Sequence, residues 1–251
     1  MTEPGGIRLT LSGDGARADL SVAIPPVNVL DPASLSELTR LITAARGARL
    51  LVLTGLPRAF SAGVDVSAHV PEPAVIDEML AAMREVLTAL IETPAVTLAA
   101  VSGACLGGGA EIVSACDLVL VAEDARIGFP EIRLACFPPG AAALLPARIG
   151  EARSALWILT GETVSGREAA DAGFASRAVA PTRLSEETER LASRILSAAP
   201  GALASARDLV RRSRREALAT RLPEAEEAYR RLAGDADLAR AVSEFGASRR
   251  R

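Results

Sequence analysis

Between Leu98 and Asp117 the chain reads L-A-A-V-S-G-A-C-L-G-G-G-A-E-I-V-S-A-C-D, and this stretch holds the residues best suited to chemistry. Gly107, Gly108 and Gly109 open a helical segment that carries one carboxylate, Glu111. Each glycine in a helix costs about 1 kcal/mol against alanine, so three in succession point to a need for bare backbone. Bare backbone lets a ligand come close, and N–H groups at a helix N-terminus attract developing negative charge. Tight strand–helix packing would use the same glycines. With Glu111 on the first helical turn, the pattern favours an oxyanion site beside an acid/base group.

Other chemistries fail on residue type. Gly103 and Gly108 have phosphate-loop spacing, but Gly109 and Ala110 stand where Lys and Ser/Thr are required, and no G-x-G-x-x-G occurs in this stretch. Ser61 belongs to no Ser/His/Asp constellation. His69, the one histidine, lies in a proline-bounded loop without partners at metal-ligand spacing, so it reads as a surface or pocket-rim residue. No metal site is expected.

The elements that must position Glu111 follow from periodicity. Ile7–Leu11 and Arg17–Ile24 flank Gly13-Asp14-Gly15 as a hairpin. Asp31 with Pro32 signals the start of a helix running to about Arg46. Short buried strands are expected at Leu50–Thr54, Val96–Val101 and Asp117–Ala122, with a helix at about 75–92. Ser165 with Glu168 makes a capping box. Further helices are expected over 184–199, Pro200 to about Thr220, and Pro223–Ala233. Strands alternating with helices imply an α/β core of ββα-like units followed by a helical last third. No internal sequence repeat is visible.

At 251 residues, 49% of them hydrophobic, the chain can bury a sizeable core. All 28 basic residues are Arg, which excludes Schiff-base mechanisms. A net charge of -3 gives no basis for a nucleic-acid partner, and Cys105, Cys116 and Cys136 form no C-x-x-C pair. Without a secretory signal or a long apolar span, a soluble cytoplasmic protein with no membrane partner is expected.

Three ordered segments, F-S-A-G-V-D-V at 60–66, G-A-C-L-G-G-G-A-E at 103–111 and F-P-E-I-R-L at 129–134, closely resemble the motifs of the crotonase (enoyl-CoA hydratase/isomerase) superfamily. The resemblance covers essentially the whole chain. It implies a crotonase-like spiral of ββα units over residues 1–180. A C-terminal helical region at 181–251 would serve trimer assembly and act as a lid over an acyl-CoA site. It further implies that the backbone N–H groups of Val64 and Gly108 hold a thioester carbonyl, and that Glu111 and Glu131 are the catalytic carboxylates. The loop from Ser61 through Ala62, Gly63, Asp65 and Val66 corresponds to the segment that holds the adenine of coenzyme A. No separate cofactor is implied, because coenzyme A arrives as part of the substrate. The assembly implied is a homotrimer or a hexamer.

Polarising a thioester carbonyl allows water to add at Cβ and a proton at Cα, so an enoyl-CoA hydratase is the leading expectation. Isomerisation or decarboxylation by the same scaffold, and a non-catalytic acyl-CoA-binding protein, are the alternatives. Past Glu131 the sequence departs from the family's glycine-rich pattern with Pro138-Pro139 and Ala141–Ala143. Consecutive prolines fix two φ angles, so His69, Phe137, Pro138 and Pro139 are expected to shape a rigid acyl pocket. The alanines are expected to leave room for a ring such as a cyclic dienoyl group. Trp157 and Tyr229 read as core or subunit packing. Arg211, Arg212, Arg214, Arg215 and Arg249–Arg251 read as a solvated face, with contact to the CoA phosphates as the functional alternative. Leu144, Leu145, Ile149 and Trp157 are expected to leave apolar surface for a subunit interface.

Overall fold

A computed structural model describes residues 6–65, 72–232 and 235–248. The hairpin comes first: β1 (Gly6–Leu11) pairs antiparallel with β2 (Arg17–Ala23), Leu9 opposite Leu20. After β3 (Val29–Leu30), Asp31 caps α1 (Pro32–Ala44) by accepting the Ser34 N–H at 2.8 Å. A 3-10 turn at Ala45–Gly47 ends this first strand–strand–helix unit.

The pattern then recurs. The second unit is β4 (Leu50–Thr54), β5 (Ala59–Ser61), β6 (Gly63–Val64) and α2 (Pro73–Glu92). The third is β7 (Val96–Val101), β8 (Ala104–Leu106) and α3 (Gly108–Ala115). In the fourth, β9 (Leu118–Ala122) and β10 (Arg126–Gly128) lead through a 3-10 turn at Pro130–Leu134 into α4 (Pro139–Ile149). There follow α5 (Glu151–Thr160), β11 (Thr163–Ser165), α6 (Gly166–Asp171) and β12 (Arg177–Val179). The chain continues with α7 (Leu184–Leu196), α8 (Pro200–Val210), α9 (Arg212–Arg230) and α10 (Ala236–Ser248).

The hairpin and the first strands of the next three units build one sheet, closed by β12, in the order β1-β2-β4-β7-β9-β12; β11-β10-β8-β5 form a second, and β3 pairs with β6. The two sheets wind as the expected spiral. The repeat lives in geometry alone, since what recurs is strand length and polarity pattern. Strands β4 and β7 read as apolar runs interrupted only by Thr54 and the buried Thr97, because both their faces are covered. Leu51 and Leu53 point into the main core with α1 and α2, while Leu50, Val52, Val96 and Leu98 pack under Ala192 and Ile195 of α7. Among the described residues no helix is long and apolar enough to cross a membrane.

Several expectations are corrected. The break between the late helices falls at Arg211, and Pro223 sits inside α9. Burial of Leu222 and Tyr229 along that helix offsets the backbone hydrogen bond a proline cannot make. Arg211 and Arg214 are buried. The Arg211 guanidinium donates to Thr93 O at 2.5 Å, Ala95 O at 2.6 Å and Asp117 Oδ1 at 2.7 Å, and pairs with Asp117 Oδ2 as well. Arg214 donates to Ala115 O at 2.7 Å and to Asp117 Oδ1 at 2.5 Å. These cations meet the carbonyl ends of α2 and α3, where positive charge is favoured. They are bound inside the protein rather than solvated. Arg212 is exposed, and Arg249–Arg251 lie outside the described residues. Leu144, Leu145, Ile149 and Trp157 are covered within the chain itself. The large apolar side chains left open include Ile132, Leu156 and Leu159.

Candidate active site

Residues 59–64 are pinned from below by Asn28, which adopts the left-handed conformation with φ 54. Its buried side chain donates to Val22 O at 2.9 Å, Ala59 O at 3.2 Å and Phe60 O at 2.9 Å, and accepts the Ile24 N–H at 2.6 Å. Asparagine tolerates this backbone region better than most residues. Ser61 is drawn into the same arrangement. Its hydroxyl donates to Asn28 O at 2.7 Å and accepts the Gly63 N–H at 3.1 Å. Ser61 is therefore buried beneath the loop and is not among the residues that line the cavity.

Each glycine of the triplet has its own reason. Gly107 has φ 51, and a Cβ there would stand 2.7 Å from Glu131 Oε1. A Cβ on Gly108 would stand 2.5 Å from Val64 Cγ2 and 3.5 Å from the Val64 backbone N. A Cβ on Gly109 would strike Ser61 at 2.5 Å. Bare backbone at 107–109 thus serves both close packing and the approach of β6 to the start of α3.

Glu111 lies on the first turn of α3 with its carboxyl group buried, and Oε1 accepts the Ala141 N–H at 2.9 Å. Burial pushes this carboxyl above its ordinary range, against the pull of the Ala141 and Gly140 N–H groups. Glu131 comes from the 3-10 turn after β10. Burial pushes it up too, and the nearby Glu111 carboxylate pushes it further. Glu131 Oε2 is buried without a hydrogen-bond partner among the described residues. Two buried carboxyl groups that raise each other's proton affinity can divide acid and base duties between them.

Both face a cavity of about 600 Å³ whose lining also includes Ala62, Gly63, Val64 and Gly108. Phe137, Pro138 and Pro139 line it, the two prolines forming the N-cap and first position of α4. The Ala141–Ala143 run does not widen it: Ala141 and Ala143 are packed in the core. Asp65 is not part of the lining, and its N–H donates to Leu30 O at 2.9 Å. Val66 and His69 lie outside the described residues. Several lining residues escaped the sequence reading, among them three polar ones from α2 and α9. Arg84 comes from α2, while Glu226 and Tyr229 come from α9. Tyr229 packs its ring 5.6 Å from that of Phe137, so it belongs to the cavity wall as well as to the packing behind it. The spacing of Leu222, Glu226 and Tyr229 on one helix face was the available signal.

This spiral of ββα units, with a helical C-terminal part, is the crotonase fold. The chain belongs to the enoyl-CoA hydratase/isomerase family, whose family model matches residues 18–249. It is 33% identical over 209 residues to a probable enoyl-CoA hydratase of Bacillus subtilis, covering 80% of this chain and 81% of that protein. It is 32% identical over 165 residues to cyclohexa-1,5-dienecarbonyl-CoA hydratase of Thauera aromatica, covering 64% of this chain and 63% of that protein, less than two thirds of its length. The crystal structure of an enoyl-CoA hydratase from Mycobacterium avium subsp. paratuberculosis superposes with a TM-score of 0.87 at 22% identity, covering 97% of this chain and 100% of that one, a likeness of fold.

Proposed function

We propose that the protein adds water across the double bond of an α,β-unsaturated acyl-CoA thioester. The observation that carries this reading is the pair of buried carboxyl groups, Glu111 and Glu131, facing one cavity beside the adjoining backbones of Val64 and Gly108. The thioester carbonyl accepts from the Val64 and Gly108 N–H groups, which stabilise negative charge on its oxygen as the reaction proceeds. Glu111, stabilised as a carboxylate by the Ala141 N–H, takes a proton from water while the water oxygen bonds to Cβ. Glu131 holds the shared proton and delivers it to Cα, giving a 3-hydroxyacyl thioester. Transfer of a proton from Glu111 back to Glu131 resets the pair.

A cyclic dienoyl group is the acyl moiety we favour. The similarity to the Thauera aromatica protein supports it, as does a cavity of about 600 Å³ walled by Pro138 and Pro139. Hydration would be followed as loss of enoyl-thioester absorbance, with cyclic dienoyl-CoA and crotonyl-CoA compared by kcat/KM. One methylene in a pocket is worth only about 1–3 kcal/mol, so the preference should be graded. Equal or faster turnover of crotonyl-CoA would remove the ring preference. Double-bond migration without hydration would replace the hydratase reading with an isomerase.

A further inference from the structure

A second polar group stands in the cavity wall, apart from the Glu111–Glu131 pair. Glu226 of α9 lines the cavity with its side chain only 3% exposed, and Arg84 of α2 lines it with 43% exposed. The Glu226 carboxylate meets Arg84 Nε at 3.2 Å and Arg230 Nη2 at 3.8 Å. The lining of the same cavity includes Leu80, Met83, Leu222 and Tyr229. Burying a carboxylate among such side chains costs several kcal/mol unless its lone pairs are well satisfied. A leucine here would pack the same helix face at less cost.

Stitching α2 to α9 does not require the choice. Arg230 with Asp77, paired at 2.6 Å outside the cavity lining, and Arg215 with Glu92 at 3.3 Å already join the same two helices. Of the two contacts to Glu226, the one at 3.8 Å is beyond hydrogen-bond length. A carboxylate offers about four acceptor positions, more than these contacts fill, and Glu226 is part of the cavity lining. The charge in the lining decides what can use it. Even with one proton held by the Glu111–Glu131 pair, the carboxylates of the lining, Glu226 and Glu244 among them, outnumber Arg84 and Arg133, which disfavours an anionic acyl terminus and favours a neutral donor.

We propose that Glu226, oriented by Arg84, is a specificity-determining residue that accepts a hydrogen bond from a hydroxyl carried on the acyl group. The inference rests on the acyl-thioester reading above and deepens it: the preferred substrate class is a hydroxylated enoyl-CoA. Buried sites built to bond a hydroxyl reject analogues lacking it, because the polar group is then left without a partner.

The test compares two enoyl-CoA esters of one length, bearing a hydroxyl or a methyl on the distal carbon, in the wild type, Glu226→Gln and Glu226→Leu. The wild type should favour the hydroxylated ester in kcat/KM by about 10- to 100-fold. Glu226→Gln should keep part of that ratio, since its amide oxygen still accepts, and Glu226→Leu should bring it to about one or invert it. A wild-type ratio near one, or the same ratio in Glu226→Leu, overturns the proposal. So does an equal fall for both esters, which would place Glu226 against the shared CoA arm or in the scaffold. If neither ester is hydrated, the hydratase reading fails on its own. Calorimetric affinities of the two corresponding saturated acyl-CoA esters then read the same ratio without turnover, and thermal melts of each variant report folding separately.

Discussion

Glu131 leans over Gly107: its Oε1 stands 2.7 Å from where a Cβ on that glycine would lie. The glycine also has φ 51 and ψ -128, a conformation that L side chains rarely adopt. Gly107→Ala should therefore act twice. Backbone strain of about 1–3 kcal/mol should lower Tm. Displacement of the Glu131 carboxyl should lower kcat by about 10²-fold, with a smaller change in KM. A variant with wild-type kcat would show that the carboxyl does not need this seat.

Glu111→Gln and Glu131→Gln should each cut hydration by about 10²–10⁴-fold while leaving binding of a saturated acyl-CoA largely intact. Because the two groups exchange protons as a unit, the double variant should lose far less than the product of the single losses. Steady-state rates on one enoyl-CoA, with product-analogue affinities alongside, check both statements. Near-wild-type hydration by either single variant would contradict a two-carboxylate mechanism.

The same pair predicts a pH dependence of stability. Burial raises both carboxyl groups above their unfolded values, and the charge of Glu111 raises Glu131 further. An unfolded glutamate titrates at about 4.3. Between that value and the raised folded value the native state keeps a proton that the unfolded state has lost, so stability falls as pH rises through the window. Below it both states are protonated and the difference vanishes. Glu131→Gln removes part of the penalty. Relative to the wild type it should be near neutral at about pH 4 and more stable at about pH 8 by at least about 1.4 kcal/mol, the worth of a tenfold displacement of protonation. Calorimetric melts at the two pH values decide it, and an offset that does not change with pH would contradict it.

The sequence made some of this legible and hid the rest for physical reasons. The strands at 50–54 and 96–101 and the capping box at Ser165 were readable because their signals are local runs and short spacings. Glu111 was readable because the glycine triplet stands beside it. Asn28 was not, since its function is to bridge backbone carbonyls up to 32 residues away. Arg211 and Arg214 were misread because a run of arginines looks alike whether it faces water or a buried cluster of carbonyls. Their partners lie 94 to 120 residues distant, brought together only by the fold.

That buried cluster makes its own prediction. Burial would raise the Asp117 carboxyl, but its bond to Arg211 and the charges of Arg211 and Arg214 overcome this and hold it below the ordinary range. Removing one partner leaves an uncompensated charge inside the protein, at a cost of about 3–5 kcal/mol. Arg211→Met should be destabilised by that order in denaturant melts. Arg211→Lys should recover little, because an ammonium cannot span Asp117, Thr93 and Ala95 as the guanidinium fork does. Full recovery by lysine would mean that charge alone suffices.

Assembly gives the last prediction. On α5, Leu156 and Leu159 are 49% and 68% exposed, and Ile132, on the turn that carries Glu131, is 39% exposed. Gly161 joins them, for a Cβ there would lie 2.9 Å from Ile132 Cγ2. Exposed apolar side chains grouped in this way mark contact surfaces, and burying one leucine is worth about 1.5–3 kcal/mol. We expect this face to be covered by a second copy of the chain in a closed homotrimer, or in a hexamer made from two trimers. Light scattering at micromolar concentration should give a multiple of three subunits. Leu156→Asp with Leu159→Asp should shift the mass toward the monomer. Because the opposite side of the Ile132 turn presents Glu131 to the cavity, kcat should fall together with the mass. A wild-type protein that is monomeric at these concentrations would refute the assembly. Retained mass in the double variant would move the interface elsewhere, to surfaces such as Leu209 and Val210, which are 64% and 70% exposed.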